Sequence, residues 1–91
     1  MIPRRIHILG HEYKIRRKRM KDYAWIDYDK HTIWIRSGLD SDTTQACLLH
    51  ECIHGILFRS GNGYQLNTGQ EESIVRALEH GLWQAGYRLV E

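Results

Sequence analysis

Residues 47–58 read Cys47-Leu48-Leu49-His50-Glu51-Cys52-Ile53-His54-Gly55-Ile56-Leu57-Phe58, and their only strongly polar side chains are one carboxylate and two imidazoles. On a helix, at about 100° per residue, His50 and His54 differ by about 40° and one turn, so both rings reach a single cation. Glu51 lies beside that pair without being needed as a ligand. Its carboxylate is placed to take the proton of a water that a metal activates for attack on a carbonyl. The apolar flanks predict a helix buried on nearly every face. No Lys or Arg occurs from Ser37 to Phe58, so a buried Glu51 has no cationic partner on its own element, and a divalent ion is the compensation at hand.

Around this stretch, Asp42 and Gln45 are spaced as a capping box, and apolar residues at Ala46, Leu49, Ile53, Ile56 and Leu57 predict a helix over 42–60. Gly61-Asn62-Gly63 supplies residues that tolerate positive φ where that helix stops. A second capping box is read at Thr68 and Glu71. Ile74, Val75, Leu78, Leu82 and Ala85 then mark an apolar arc, with Gly86 at the C-cap, which predicts a helix over 69–86. Upstream, from Arg5 to Arg36, the pattern has period two: Ile6 and Ile8, Tyr13 and Ile15, Trp25 and Ile26 near Tyr28, then Ile33 and Ile35 with Trp34 opposite. Turn signals at Gly10-His11, Lys21-Asp22 and Asp29-Lys30 divide this into three or four short antiparallel strands. The expected class is α+β, one domain over 1–91 in which a small antiparallel sheet (1–36) precedes an active-site helix (42–60) and a glutamate helix (69–86).

A chain of 91 residues that is 42% hydrophobic holds one core, and one small enough that a metal, a disulfide or a partner is expected to reinforce it. The two cysteines do not supply a disulfide: five residues apart on a helix, Cys47 and Cys52 have Cα atoms about 8 Å apart, so they are read as reduced, packed thiols. Thirteen Lys and Arg against eleven Asp and Glu leave a net charge of +2, too little to mark a dedicated nucleic-acid binder from charge alone. The basic stretch Arg16 to Arg19 with Lys21 reads as a solvated strand face and its turn, with phosphate binding as the alternative. No apolar run reaches the roughly 18 residues of a membrane span, and Met1 to Leu9 contains Arg4, Arg5 and His7 in place of a signal-peptide core, so a cytoplasmic protein without a membrane partner is expected. His7, His11, His31 and His80 read as surface or satisfied core residues, and Trp25, Trp34 and Trp83 as core anchors.

A catalytic zinc site needs a third protein ligand and one open position. Glu71 and Glu72, at the start of the second helix, are the candidates. A helical wheel places Glu71 nearer the centre of the apolar arc, whereas a Thr68–Glu71 capping box would turn Glu71 back to the backbone and leave Glu72 free. From the residues alone both stay open, and the acid that does not ligate reads as a solvated side chain favoured by the helix dipole.

Leu48-Leu49-His50-Glu51-Cys52-Ile53-His54-Gly55-Ile56 resembles the zincin metallopeptidase signature. With Glu72-Ser73-Ile74-Val75-Arg76-Ala77-Leu78 downstream, the chain is similar to the gluzincins, in particular to short phage and prophage proteins related to the ImmA/IrrE-like peptidases and to minigluzincins. The likeness covers about Asp27 to Leu82. It implies one zinc held by His50, His54 and Glu72, with Val75 and Leu78 three and six residues after the glutamate, and Glu51 as the catalytic base. Cys52, where Leu or Ile is commoner, and Val75, where larger relatives often have Ala, depart from the pattern without removing a ligand.

Two functions are consistent with this reading. One is a zinc-dependent peptidase acting on a cytosolic protein or peptide, which lies along a sheet edge as an added strand. The other is a catalytically idle, zinc-stabilised module of phage origin whose surface recognises a protein or a nucleic acid. Only the first has a use for Glu51.

Overall fold

The computed structural model describes residues 2–90 and contains four strands, β1 (Arg5–Ile8), β2 (His11–Lys18), β3 (Ala24–Asp27) and β4 (Thr32–Arg36), followed by the helices α1 (Ser41–Ser60) and α2 (Thr68–Gln84), with a short 3-10 turn at Asn62–Gln65 between them. This is the α+β order expected, with strands first and helices second. β1 and β2 form a hairpin through Leu9 and Gly10, both at positive φ (48° and 84°), as the two-residue turns that match strand twist require. β3 and β4 form a second hairpin, in which Asp27 Oδ1 accepts hydrogen bonds from the backbone N–H groups of Asp29 and Lys30 at 3.1 and 3.0 Å.

The sheet order is β1-β2-β4-β3, and the central β2–β4 pair is parallel. The sheet is therefore mixed, not antiparallel throughout. The physical reason lies in the connection: five residues, Arg19 to Tyr23, are enough at about 3.3 Å each to step over one strand position of about 4.8 Å. β3 takes the outer place, and β4 returns into the slot beside β2. The stretch between the two parallel strands, Arg19 to His31, is as long as a parallel crossover normally demands.

One face of the sheet is the core. Tyr13, Ile33, Ile35 and Leu48 are fully buried, with Ile8 and Cys52 beside them and Ile6, Ile15 and Ile26 packed around. α1 lies across this face. A Cβ on Gly55 would stand 2.8 Å from Ile8 Cδ1, so glycine is what allows the helix to approach the strands so closely at that turn. Trp25 and Trp34, expected as core anchors, alternate with the buried isoleucines and stand on the opposite face, Trp25 being 39% exposed.

Helix ends differ from expectation by one or two residues, and the difference has consequences. α1 is capped by Asp40, whose Oδ1 accepts the Thr43 N–H at 2.7 Å, not by Asp42. Gln45, freed from capping, is buried and clasps the C-terminal segment through two bonds, donating Nε2 to the Leu89 carbonyl (2.6 Å) and accepting the Leu89 N–H (2.9 Å). α1 stops at Gly61, which has φ 79°. α2 begins with a reciprocal capping box between Asn67 and Gln70, one residue before the Thr68–Glu71 pair read from the sequence. Glu71 is therefore not engaged in capping. α2 packs against α1 with Val75 as its one buried side chain among the described residues, while Ile74 and Leu78 remain more than a third exposed.

Candidate metal centre

α1 and α2 cross so that His50 and His54, one turn apart on the first, face Glu72 on the second. His50, His54 and Glu72 each offer one ligand atom, and these three atoms lie within 4.8 Å of one another, close enough to hold a metal ion. The Nε2 atoms of His54 and His50 stand 2.6 and 3.7 Å from Glu72 Oε1. A 2.6 Å approach of a ring nitrogen to a carboxylate oxygen needs a proton or a cation between them. The two rings meet edge to face with centroids 4.9 Å apart. The helix–helix crossing thus selects Glu72, one of the two acids left open by the wheel and capping arguments.

The remaining ring nitrogens are also engaged. Glu79 Oε1 lies 2.7 Å from His50 Nδ1, and Glu71 Oε2 lies 2.6 Å from His54 Nδ1. Carboxylates accept only, so with an ion at the shared point each neutral ring would carry its hydrogen on Nδ1, facing Glu79 or Glu71, and turn its Nε2 lone pair to the ion. This is the arrangement in which ligating histidines are oriented in metal sites. Glu71, read from the sequence as a cap, orients His54 instead; Gly63, in the 3-10 turn, lies against it, since a Cβ there would be 3.2 Å from Glu71 Oε1. Glu79 was not singled out in the sequence. Its signal was available: it follows Glu72 by seven residues, two helical turns, and so shares its face.

Glu51 is 8% exposed, on α1 between the two histidines. Burial is the main cause that lifts its carboxyl above the usual carboxylate range; the histidines oppose this, and Glu72 and Glu79 reinforce it. It lines a pocket of about 460 Å³ between α1, Glu79 of α2 and the stretch Asp22 to Ala24 that leads into the edge strand β3, with Thr43, Cys47 and His50 on the α1 wall. Tyr28, stacked on Phe58 at 3.9 Å, is kept as a neutral phenol: burial, then Glu71 and Glu51, raise its pKa. Nothing in the sequence pattern marked Tyr28 as a neighbour of the glutamates. Both cysteines are unpaired thiols. Cys52 is pushed up to about 12, by burial first and Glu51 second, and Cys47 is raised by burial and by Glu51 and Glu79. Neither is a ready thiolate ligand or nucleophile.

No family model, no curated protein and no solved structure matches the chain. Among the described residues no helix is long and apolar enough to cross a membrane.

Proposed function

We propose that the chain is a zinc-dependent peptidase of gluzincin type that hydrolyses peptide bonds in a cytosolic protein. The observation that supports this most is Glu51: a buried carboxylate beside a three-donor cluster, open to a pocket and outside the ligand set. A cation-stabilised binding module has no use for such a group.

The donor set, two imidazole nitrogens and one carboxylate oxygen, is of the kind that zinc takes in catalytic sites, where three protein ligands leave a fourth position to water. A zinc ion held there would supply Lewis acidity, making water more acidic and polarising the scissile carbonyl. The protein's own groups do the rest. Glu51 accepts the proton of the attacking water at a carboxylate whose proton affinity is raised by burial, and returns it to the departing amine. Glu79 and Glu71 hold the imidazoles through Nδ1 so that neither ring reorients during turnover. The exposed edge of β3 gives an extended substrate main chain a row of hydrogen-bonding partners beside the pocket.

Digestion of a peptide library by the zinc-loaded protein, read by mass spectrometry, tests the reading. Cleavage that stops with chelator and returns with zinc is expected. A fully zinc-loaded protein that cuts no library peptide and no unfolded protein would favour the idle module.

A further inference from the structure

The sheet has a second face, and neither helix covers it. Ten of the thirteen Lys and Arg residues precede Ser37, with only four of the eleven acids, so the small net charge conceals a basic sheet and an acidic pair of helices. On β2, Lys14, Arg16 and Lys18 are exposed and alternate with core-facing Tyr13 and Ile15, whereas Arg17 turns to the helix side and donates to Thr44 Oγ1 at 3.2 Å. Arg16, Trp34 and Trp25 stand in register across β2, β4 and β3. Beyond this row, a groove of about 660 Å³ is bordered by Arg4, Arg5, Lys14, Arg16 and Trp34.

We propose that this outer sheet face binds single-stranded nucleic acid, the bases stacking on Trp25 and Trp34 and the phosphates lying along Arg5, Lys14, Arg16 and Lys18. Two like-charged cross-strand pairs point to a polyanion. Arg5 pairs with Lys14 and Lys18 with Arg36, juxtapositions that weaken a sheet unless something negative lies over them. Glu12, 4.0 Å from Arg5, is the carboxylate that offsets them at one corner; Asp27 is occupied in its own turn. The indoles favour a nucleic acid over an acidic peptide, because every base offers a face to stack, and an uncovered sheet face favours splayed bases over a duplex. Lys18 Nζ now sits 4.5 Å from the Trp34 ring centroid and 5.7 Å from that of Trp25. A cation over a half-buried, solvent-facing indole is held more weakly than a stacked base, so Lys18 yields the ring and moves to a phosphate. The face lies across the sheet from Glu51, so this surface stands independently of the peptidase reading.

The test is titration of the zinc-loaded full chain with labelled single-stranded oligothymidylate of about twelve nucleotides at low salt, read by anisotropy and tryptophan fluorescence. Binding with quenching is expected, and its affinity should fall with salt at a slope of about 0.7 per phosphate contact. Trp25→Ala should weaken it about 5- to 150-fold. The double variant Lys14→Glu with Arg16→Glu, at two exposed positions that leave the core untouched, should weaken it further and lower the salt slope by about 1.4. Absence of binding, equal binding by parent and charge-reversed protein, or tighter binding to polyglutamate, duplex DNA or phosphatidylserine vesicles would overturn the proposal.

Discussion

His50 is held between two carboxylates of one helix: Glu79 Oε1 lies 2.7 Å from its Nδ1 and Glu72 Oε1 lies 3.7 Å from its Nε2. The two glutamates are two turns apart on α2, so one helix face carries both a candidate metal donor and the group that fixes the candidate imidazole donor beside it. Glu79→Gln keeps the size of the side chain but exchanges a charged acceptor for a neutral one. Zinc affinity should fall about 10- to 100-fold with the fold unchanged, measured by competition with a chromophoric chelator. Unchanged affinity would show that His50 needs no orienting partner.

Glu72→Gln and Glu71→Gln separate ligand from orienting group. The first should leave the protein without stoichiometric zinc after gel filtration, because it removes one of three donors. The second should retain zinc with affinity reduced about 10- to 100-fold, since Glu71 holds His54 only through Nδ1. Loss of stoichiometric zinc in Glu71→Gln with retention in Glu72→Gln would reverse the assignment.

Much of this centre was legible in the sequence because helix geometry is local. The His50–His54 spacing needs nothing but a helix, and α1 has one. The candidate third donor was legible from the residues alone only as a choice of two, narrowed to Glu72 by the resemblance, since it depends on how α2 crosses α1, a relationship the sequence does not state directly. The same limit applies to the sheet. Period two shows that Ile33 and Ile35 share a face, but not that β4 lies between β2 and β3, because a five-residue connection serves an adjacent strand and a next-but-one strand alike. The capping boxes were displaced because Asp, Asn, Thr and Gln crowd both helix starts, and a one-residue shift from Thr68 to Asn67 was enough to change the role of Glu71.

Chelation should loosen the fold. Val75 is the one buried side chain of α2 among the described residues, and burying it contributes only about 1.5 to 3 kcal/mol. A metal joining Glu72 to His50 and His54 at a hundredfold excess over its dissociation constant adds about 2.7 kcal/mol. In a domain of this size its removal should lower Tm by about 10 °C or more in calorimetry. An unchanged transition with metal loss confirmed would mean that α2 docks without it.

Acid should act at the start of α1. The hydrogen bonds from Thr43 hold the Asp40 carboxyl below its ordinary value of 3.8. A carboxylate whose folded pKa is depressed stabilises the fold above its unfolded pKa, and this contribution is lost as pH falls from that value through the folded one. Asp40→Asn keeps a capping oxygen at neutral pH but has no proton to gain, so the difference in Tm between parent and variant should change in the variant's favour below pH 3.8. Parallel Tm curves down to the acid transition would exclude Asp40 as a source of acid sensitivity.

Glu51 decides between hydrolysis and mere metal binding, and the measurement that shows which is peptide cleavage by zinc-loaded Glu51→Gln beside zinc-loaded parent, at equal metal content and with the same substrate. The amide keeps nearly the same size and can still hydrogen-bond water, but it cannot take the proton. Zinc content should stay at one per chain and the cleavage rate should fall by about 10²-fold or more. A variant that cuts as fast as the parent would contradict the assignment of Glu51 as the base, and with it the peptidase mechanism built on this site.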